Sequence, residues 1–178
     1  VSRRLWWSLA VIGAVIAAGA LYQFVLGDKV VSPTVLVPVP TATIGSGEEA
    51  VGVSAGGEIV PWWPLPDEPG LPQLPLPEPP QSGRLSGPML QQARVLGAAP
   101  SALRTYLASS YYGESGVDVE TTAGIELRFG DASQAKRKWK AAVAVLADPE
   151  ITALDYVDLH APARPSYGGS GHTLPTLP

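Results

Sequence analysis

Residues 116–160 read GVDVETTAGIELRFGDASQAKRKWKAAVAVLADPEITALDYVDLH, and this stretch decides the fold. It begins with two alternating runs. Val117, Val119 and Thr121 point to one side, Asp118 and Glu120 to the other. Ile125, Leu127 and Phe129 repeat the apolar side, with Glu126 and Arg128 opposite. Period two in β-branched and aromatic residues is the pattern of half-buried strands. The apolar sets share a face only if an odd number of residues separates the strands. That predicts a three-residue loop, Thr122-Ala123-Gly124, with the glycine where φ > 0 is needed. In this register Val119 faces Leu127, Val117 faces Phe129, Asp118 faces Arg128 and Glu120 faces Glu126.

A helix is expected next. Asp131 is placed to cap it, with Gln134 three residues on. Ala132, Ala135, Trp139, Ala142, Val143 and Leu146 recur at three and four, giving an apolar face anchored by Trp139 and leaving Lys138 on the solvated side. Asp148-Pro149 ends the helix, because the residue before a proline leaves the α region. Leu154 to Leu159 then reads as a strand, with Val157 and Leu159 inward and Tyr156 and Asp158 outward. The unit is hairpin, helix, strand.

The order G-I-E-L-R-F-G-D, basic helix, L-D-Y-V-D-L-H resembles the carboxy-terminal half of the bacterial cell-division family FtsQ/DivIB. The likeness covers roughly Val51 to Pro162 and is strongest over Gly124 to His160. It implies an α+β domain and a non-enzymatic scaffold of the division machinery, which assembles other bitopic proteins and regulates septal peptidoglycan synthesis. It also implies strand addition by a smaller bitopic partner at the strand 154–160, where Leu154, Tyr156, Asp158, Leu159 and His160 are the expected contacts. One departure is Ala161, which stands where an aromatic commonly follows the Asp-Leu-basic run; Tyr167 is the nearest substitute. A second is length. Only residues 27–50 separate Leu26 from Val51, too few for the POTRA module that the family carries between anchor and sheet domain.

Leu5 to Leu26 contains no charge and, at about 1.5 Å per residue, reaches roughly 33 Å, enough to span a bilayer core. Trp6, Trp7 and Tyr22 lie near its ends, and Arg3 and Arg4 precede it, so residues 1–4 are expected in the cytoplasm and everything after Leu26 outside the plasma membrane. A cleaved signal peptide is the competing reading, with Ala18-Gly19-Ala20 as its site. Residues 27–49 read as a tether broken by Pro33, Pro38 and Pro40. The domain is expected over residues 50–162, starting with a hairpin turned by Gly56-Gly57. Within it, the proline-rich segment 61–80 reads either as an extended spacer or as a run, Leu-Pro-Gln-Leu, packed across the sheet. Pro88 opens a short helix to Ala99. Residues 104–112 fit helix or strand, and the resemblance favours strand. Residues 163–178 read as a disordered tail. The fold expected is thus α+β: one membrane helix, then one small extracytoplasmic domain with an antiparallel sheet and two helices.

Chemistry is sparse. With a net charge of −4 the chain has no footprint for nucleic acid. It has no cysteine, which removes disulfides, thiolate nucleophiles and Cys-based metal sites. His160 and His172 cannot make a metal site alone, so no cofactor or metal is expected. Ser133 to Lys136 matches S-x-x-K, but neither S-D-N nor K-T-G accompanies it. The cluster around Trp139 leaves Lys136, Arg137 and Lys140 as a basic face, either merely solvated or turned to an acidic partner or anionic wall polymer. Rival readings of the whole are a membrane-anchored cell-wall enzyme and a generic cell-surface stalk.

Overall fold

The computed structural model describes residues 38–45, 47–61 and 71–174. No helix among them is long and apolar enough to cross a membrane, and the span expected over residues 5–26 lies outside them. The described chain is α+β. Its elements are β1 (Pro40–Ile44), β2 (Val51–Ser54), β3 (Ile59–Val60), α1 (Gly87–Gly97), α2 (Ser101–Arg104), β4 (Leu107–Gly113), β5 (Gly116–Thr121), β6 (Glu126–Gly130), α3 (Ala135–Leu146), β7 (Ala153–Asp158) and β8 (Ser166–Thr173). A single turn of 3-10 helix, Gly47–Glu49, joins β1 to β2.

The β5–β6 hairpin forms as its parity requires. Asp118 faces Arg128, Val119 faces Leu127 and Glu120 faces Glu126. Gly124 closes the loop at φ +84, its N–H donating to Thr121 O over 2.9 Å. A bulge at Val117 moves that residue opposite Gly130 instead of Phe129. Because α3 carries the chain back to the starting end of β6, β7 runs parallel to β6 rather than antiparallel. The five strands lie in the order β4-β5-β6-β7-β8, and β1-β2-β3 form a second sheet. The expected single antiparallel sheet with two helices is therefore two sheets, one of them mixed, with three helices. The additional helix, α2, follows Pro100 and ends at Arg104, and the strand begins at Leu107. That divides the ambiguous stretch 104–112.

The expected borders move outward at both ends. β1 lies within the tether and pairs with β2; Pro40 is tolerated as its first residue, where a missing N–H costs little. At the other end, Ser166–Thr173 is a strand and not part of a disordered tail. The Leu-Pro-Gln-Leu run, residues 71–74, does not lie across the sheet; it enters the plane of the strands. Leu74 N donates to Thr43 O (2.8 Å) and Thr43 N to Pro72 O (3.0 Å). On the other side Gln73 N donates to Ala108 O (3.0 Å) and Ser110 N to Gln73 O (3.2 Å). Gln73 thus bridges β1 and β4 and joins the two sheets. Leu74 is buried beside it.

The core lies between the sheet and helices α1 and α3. Trp139 is buried and meets Phe129 with ring centroids 4.7 Å apart, while its indole N–H donates to Val95 O of α1 over 2.7 Å. The anchor is where the periodicity puts it; the cap and Lys138 are not. α3 starts at Ala135 behind a left-handed Gln134, and Asp131 does not cap it. Asp131 instead accepts from Ser133 and from Lys138. Lys138 is only 3% exposed. Its ammonium donates to Phe129 O (2.8 Å), Asp131 O (2.9 Å) and Asp131 Oδ1 (2.8 Å). These three acceptors turn it from a solvated cation into an internal clasp of the β6–α3 corner.

Candidate functional site

The expected docking strand is β7, and the structure places a further strand on it. β8 pairs with β7 antiparallel, setting Tyr156 opposite Gly168, Val157 opposite Tyr167 and Asp158 opposite Ser166. The edge of β7 is therefore occupied, and Leu154–His160 is the penultimate strand. Leu154 and Leu159 are buried in the core and present nothing to a partner. Tyr156, Asp158 and His160 remain on the outer face of the sheet, away from the helices. The exposed edge has moved one strand outward.

Backbone parity shows which groups that edge offers. Leu159 N donates to Arg128 O over 2.8 Å, so Leu159 and Val157 turn their backbone groups to β6. Tyr156 and Asp158, alternate to these, turn theirs to β8 and hence to Gly168 and Ser166. Tyr167, between those two, must direct its N–H and C=O away from the sheet. Leu174 N donates to Thr152 O over 3.1 Å, so Thr173 likewise faces outward. Tyr167 is also one of the exposed large side chains, at 48%. β8 carries no Asp, Glu, Lys, Arg or Pro. Those are the residues with which edge strands discourage pairing. The opposite edge is closed. Ile59 N donates to Gly83 O (3.0 Å), Leu85 N to Gly57 O (2.7 Å), and Arg84 pairs with Glu58 at 2.7 Å.

β8 is shaped by side chains from β7. Asp155 Oδ1 accepts from Gly171 N over 2.7 Å, and the carboxylate fills the space beside Gly169 and Gly171. A Cβ on Gly168 would come within 3.2 Å of the Tyr156 hydroxyl. The bare glycine lets that hydroxyl lie beside the open edge, so Tyr156 borders the site without belonging to the edge strand.

On the outer face a polar row runs inward from there. The Arg128 guanidinium stands 4.3 Å from the centroid of the Tyr156 ring and donates to Glu126 Oε2 at 2.9 and 2.6 Å. Tyr111 also donates to Glu126. Partial burial favours a protonated Glu126, but these two donors outweigh it and its pKa is lowered. With Arg128 and Tyr111 engaged there, Asp118 is 7% exposed and its Oδ1 has no hydrogen-bond partner. Burial, reinforced by the Glu126 charge, pushes its pKa up against the pull of Arg128.

Asp158 and His160 form the one acid–imidazole pair of this face, with Nδ1 2.8 Å from Oδ1. Such a pair is half of a nucleophile-activating relay, but the other ring nitrogen lies 3.2 Å from the carbonyl oxygen of Ser115, not from a hydroxyl. The pair therefore ties strand ends together. Lys136, Arg137 and Lys140 are exposed on α3, on the side away from the buried residues Lys138, Trp139, Ala142 and Val145. They do not adjoin the polar row.

The groups missed by sequence reading are Gly168 and Thr173; Tyr167 was expected only as a substitute aromatic, not as part of a strand. Their one available signal was the stretch from Ser166 to Leu174, free of charge and proline between Pro165 and Pro175. Comparison with protein-family models gives no match, and neither does comparison with curated proteins.

Proposed function

We propose that this chain is a bitopic, amino-end-in scaffold of the bacterial division machinery, which holds other bitopic division proteins outside the plasma membrane and through them regulates septal wall synthesis. Its route of contact is strand addition along β8. The observation that carries this is the asymmetry of the edges: one is closed by residues 83–85, the other is uncharged, proline-free and turns the backbone groups of Tyr167 and Thr173 outward. An added strand would satisfy those groups, with the Tyr156 hydroxyl reaching toward it over Gly168. The order of hairpin, helix and strand supports the FtsQ-like reading, as does the apolar run 5–26. The scaffold reading needs no catalytic group, metal or small-molecule ligand.

Two measurements in the source bacterium test it. A reporter fused after Pro178 should be active only outside the cytoplasm; cytoplasmic activity would end the topology. Depletion of the chain should block septation, and re-expression should restore it. Tyr167→Pro should not restore it, because proline removes an outward donor while leaving the β7–β8 ladder intact. Normal septation on depletion, or full rescue by Tyr167→Pro in a chain of normal abundance, would sink the proposal.

A further inference from the structure

We infer that His160 is a proton-operated latch on the corner leading from β7 into β8: the edge strand is held in register while the imidazole carries both protons and loosens when one leaves. This regulates the docking edge and so rests on the reading of β8 given above.

The geometry around the ring demands two donors. Nδ1 faces Asp158 Oδ1 at 2.8 Å and Nε2 faces the Ser115 carbonyl oxygen at 3.2 Å. An ionised carboxylate and a carbonyl accept only, whereas a neutral imidazole has a single N–H. Neutral His160 must therefore set a lone pair against one of its two acceptors. Only the imidazolium satisfies both. The seat is built for the ring: a Cβ on Gly130 would stand 2.5 Å from its Cδ2, so the imidazole lies against a residue with no side chain. The latch thus ties three places, the β4–β5 turn at Ser115, the end of β6 at Gly130 and the end of β7.

From this point the chain turns, with Arg164 N donating to Ala161 O over 2.8 Å, and enters β8 two residues later. The far end of β8 has its own ties, Gly171 N to Asp155 and Leu174 N to Thr152. The near end has the ladder at Ser166 and Gly168 and the corner itself.

The charged neighbours agree on the sense of the switch. Asp158 of β7, through its hydrogen bond, is the largest influence and favours the cation; burial and Lys138 of α3 oppose it; the result is a raised pKa. Asp118 of β5 also faces the cation. Arg128 of β6 is held by Glu126. A histidine raised on folding contributes fully below its unfolded value of about 6.5 and loses that contribution as pH rises through its own folded value. The latch is closed in mild acid and open in mild base.

Hydrogen exchange of the full-length chain, corrected for intrinsic rates and compared at about pH 5.5 and about pH 8.5, reads this directly. Protection of the Ser166 and Gly168 amides should fall about five-fold at the higher pH, the worth of one hydrogen bond, while α1 and β5 hold theirs. In His160→Arg, charged at both values, the fall should vanish; in His160→Gln, protection should be low at both. A pH-independent wild type, or a fall that persists in His160→Arg, overturns the latch. Should either variant fail to fold, the ring ¹⁵N shifts of the wild type decide. Two protonated nitrogens are expected at about pH 6; a single neutral tautomer there would also overturn it. None of these outcomes touches strand addition, which Tyr167→Pro tests at one pH.

Discussion

Replacing Lys138 by alanine should cost far more than replacing the neighbouring lysines, for reasons that lie in its three acceptors. The ammonium is the donor for two backbone carbonyls, Phe129 O and Asp131 O, and for one carboxylate oxygen of Asp131. Removing it leaves the buried Phe129 O and the partly buried Asp131 O without this donor, and a hydrogen bond from a charged group is worth about 1.5–3 kcal/mol. The ion pair adds less, because Asp131 is 66% exposed and solvent screens it. The total is about 3 kcal/mol, roughly 6–12 °C in melting temperature for a chain of this size. Lys138→Met keeps most of the packing and should show most of the same loss, which separates the lost donor from the lost stem. Lys140→Ala, at an exposed position, should cost under about 0.5 kcal/mol. Urea unfolding of the full chain in mild detergent, followed by far-ultraviolet circular dichroism, measures all three. Equal losses for Lys138→Ala and Lys140→Ala would refute the clasp. The acid limb has a defined sign. Asp131 is held down at about 2, first by Lys138 and then by Ser133. Its contribution is therefore present above the unfolded value of about 3.9 and is lost as pH falls toward 2.

Other expectations follow from the same packing. Trp139→Ala removes the contact with Phe129 and the bond to Val95 O and should cost about 3–5 kcal/mol in the same assay; Trp139→Phe should recover part of it. Asp118→Asn should stabilise the chain near neutral pH and lose that advantage in acid, because a buried carboxyl with a raised pKa opposes folding when ionised; a pH-independent effect in thermal melts would contradict this. Gly116→Ala should be among the most damaging small substitutions, since Gly116 sits at φ +111 with the Gly130 backbone against it; a melt within a degree or two of wild type would contradict that geometry.

The hairpin, the β6–α3–β7 order and the Trp139 anchor were legible because each rests on local periodicity. What was not legible depends on contacts across the chain. Lys138 lies on the apolar side of α3, and nothing in a run of basic residues tells which ammonium will find carbonyls. Asp131 has the right residue type for a cap, but Lys138 and Ser133 compete for it and the helix starts four residues later. Gln73 sits in a segment whose prolines argue against any ladder. It pairs on both sides because Pro72 and Pro75 flank it while Gln73 and Leu74 keep the two donors used. The last strand of the sheet was placed one strand too early for a related reason. Glycine-rich polar sequence resembles a tail when its partner strand is not in view.

The composition of β8 is better understood from β7 than from β8 itself. An isolated run of Ser, Tyr, Gly and His has little tendency to extend, since glycine weakens strands and has nothing to pack. Here the absent side chains are replaced by those of the neighbouring strand. Asp155 occupies the space beside Gly169 and Gly171, and Tyr156 reaches to Gly168. The strand is thereby held in part by groups it does not carry, and its outer edge is left free of charge. A strand selected only to end the sheet would be expected to carry a lysine, a proline or an inward charge. β8 has none of these residues, although its register shifts opposite Asp155, while Ser166 and Gly168 are spent on β7 and Tyr167 and Thr173 are not. Along this one strand some residues are thus bound inward and others turned outward, on either side of the irregular stretch at residues 169–171.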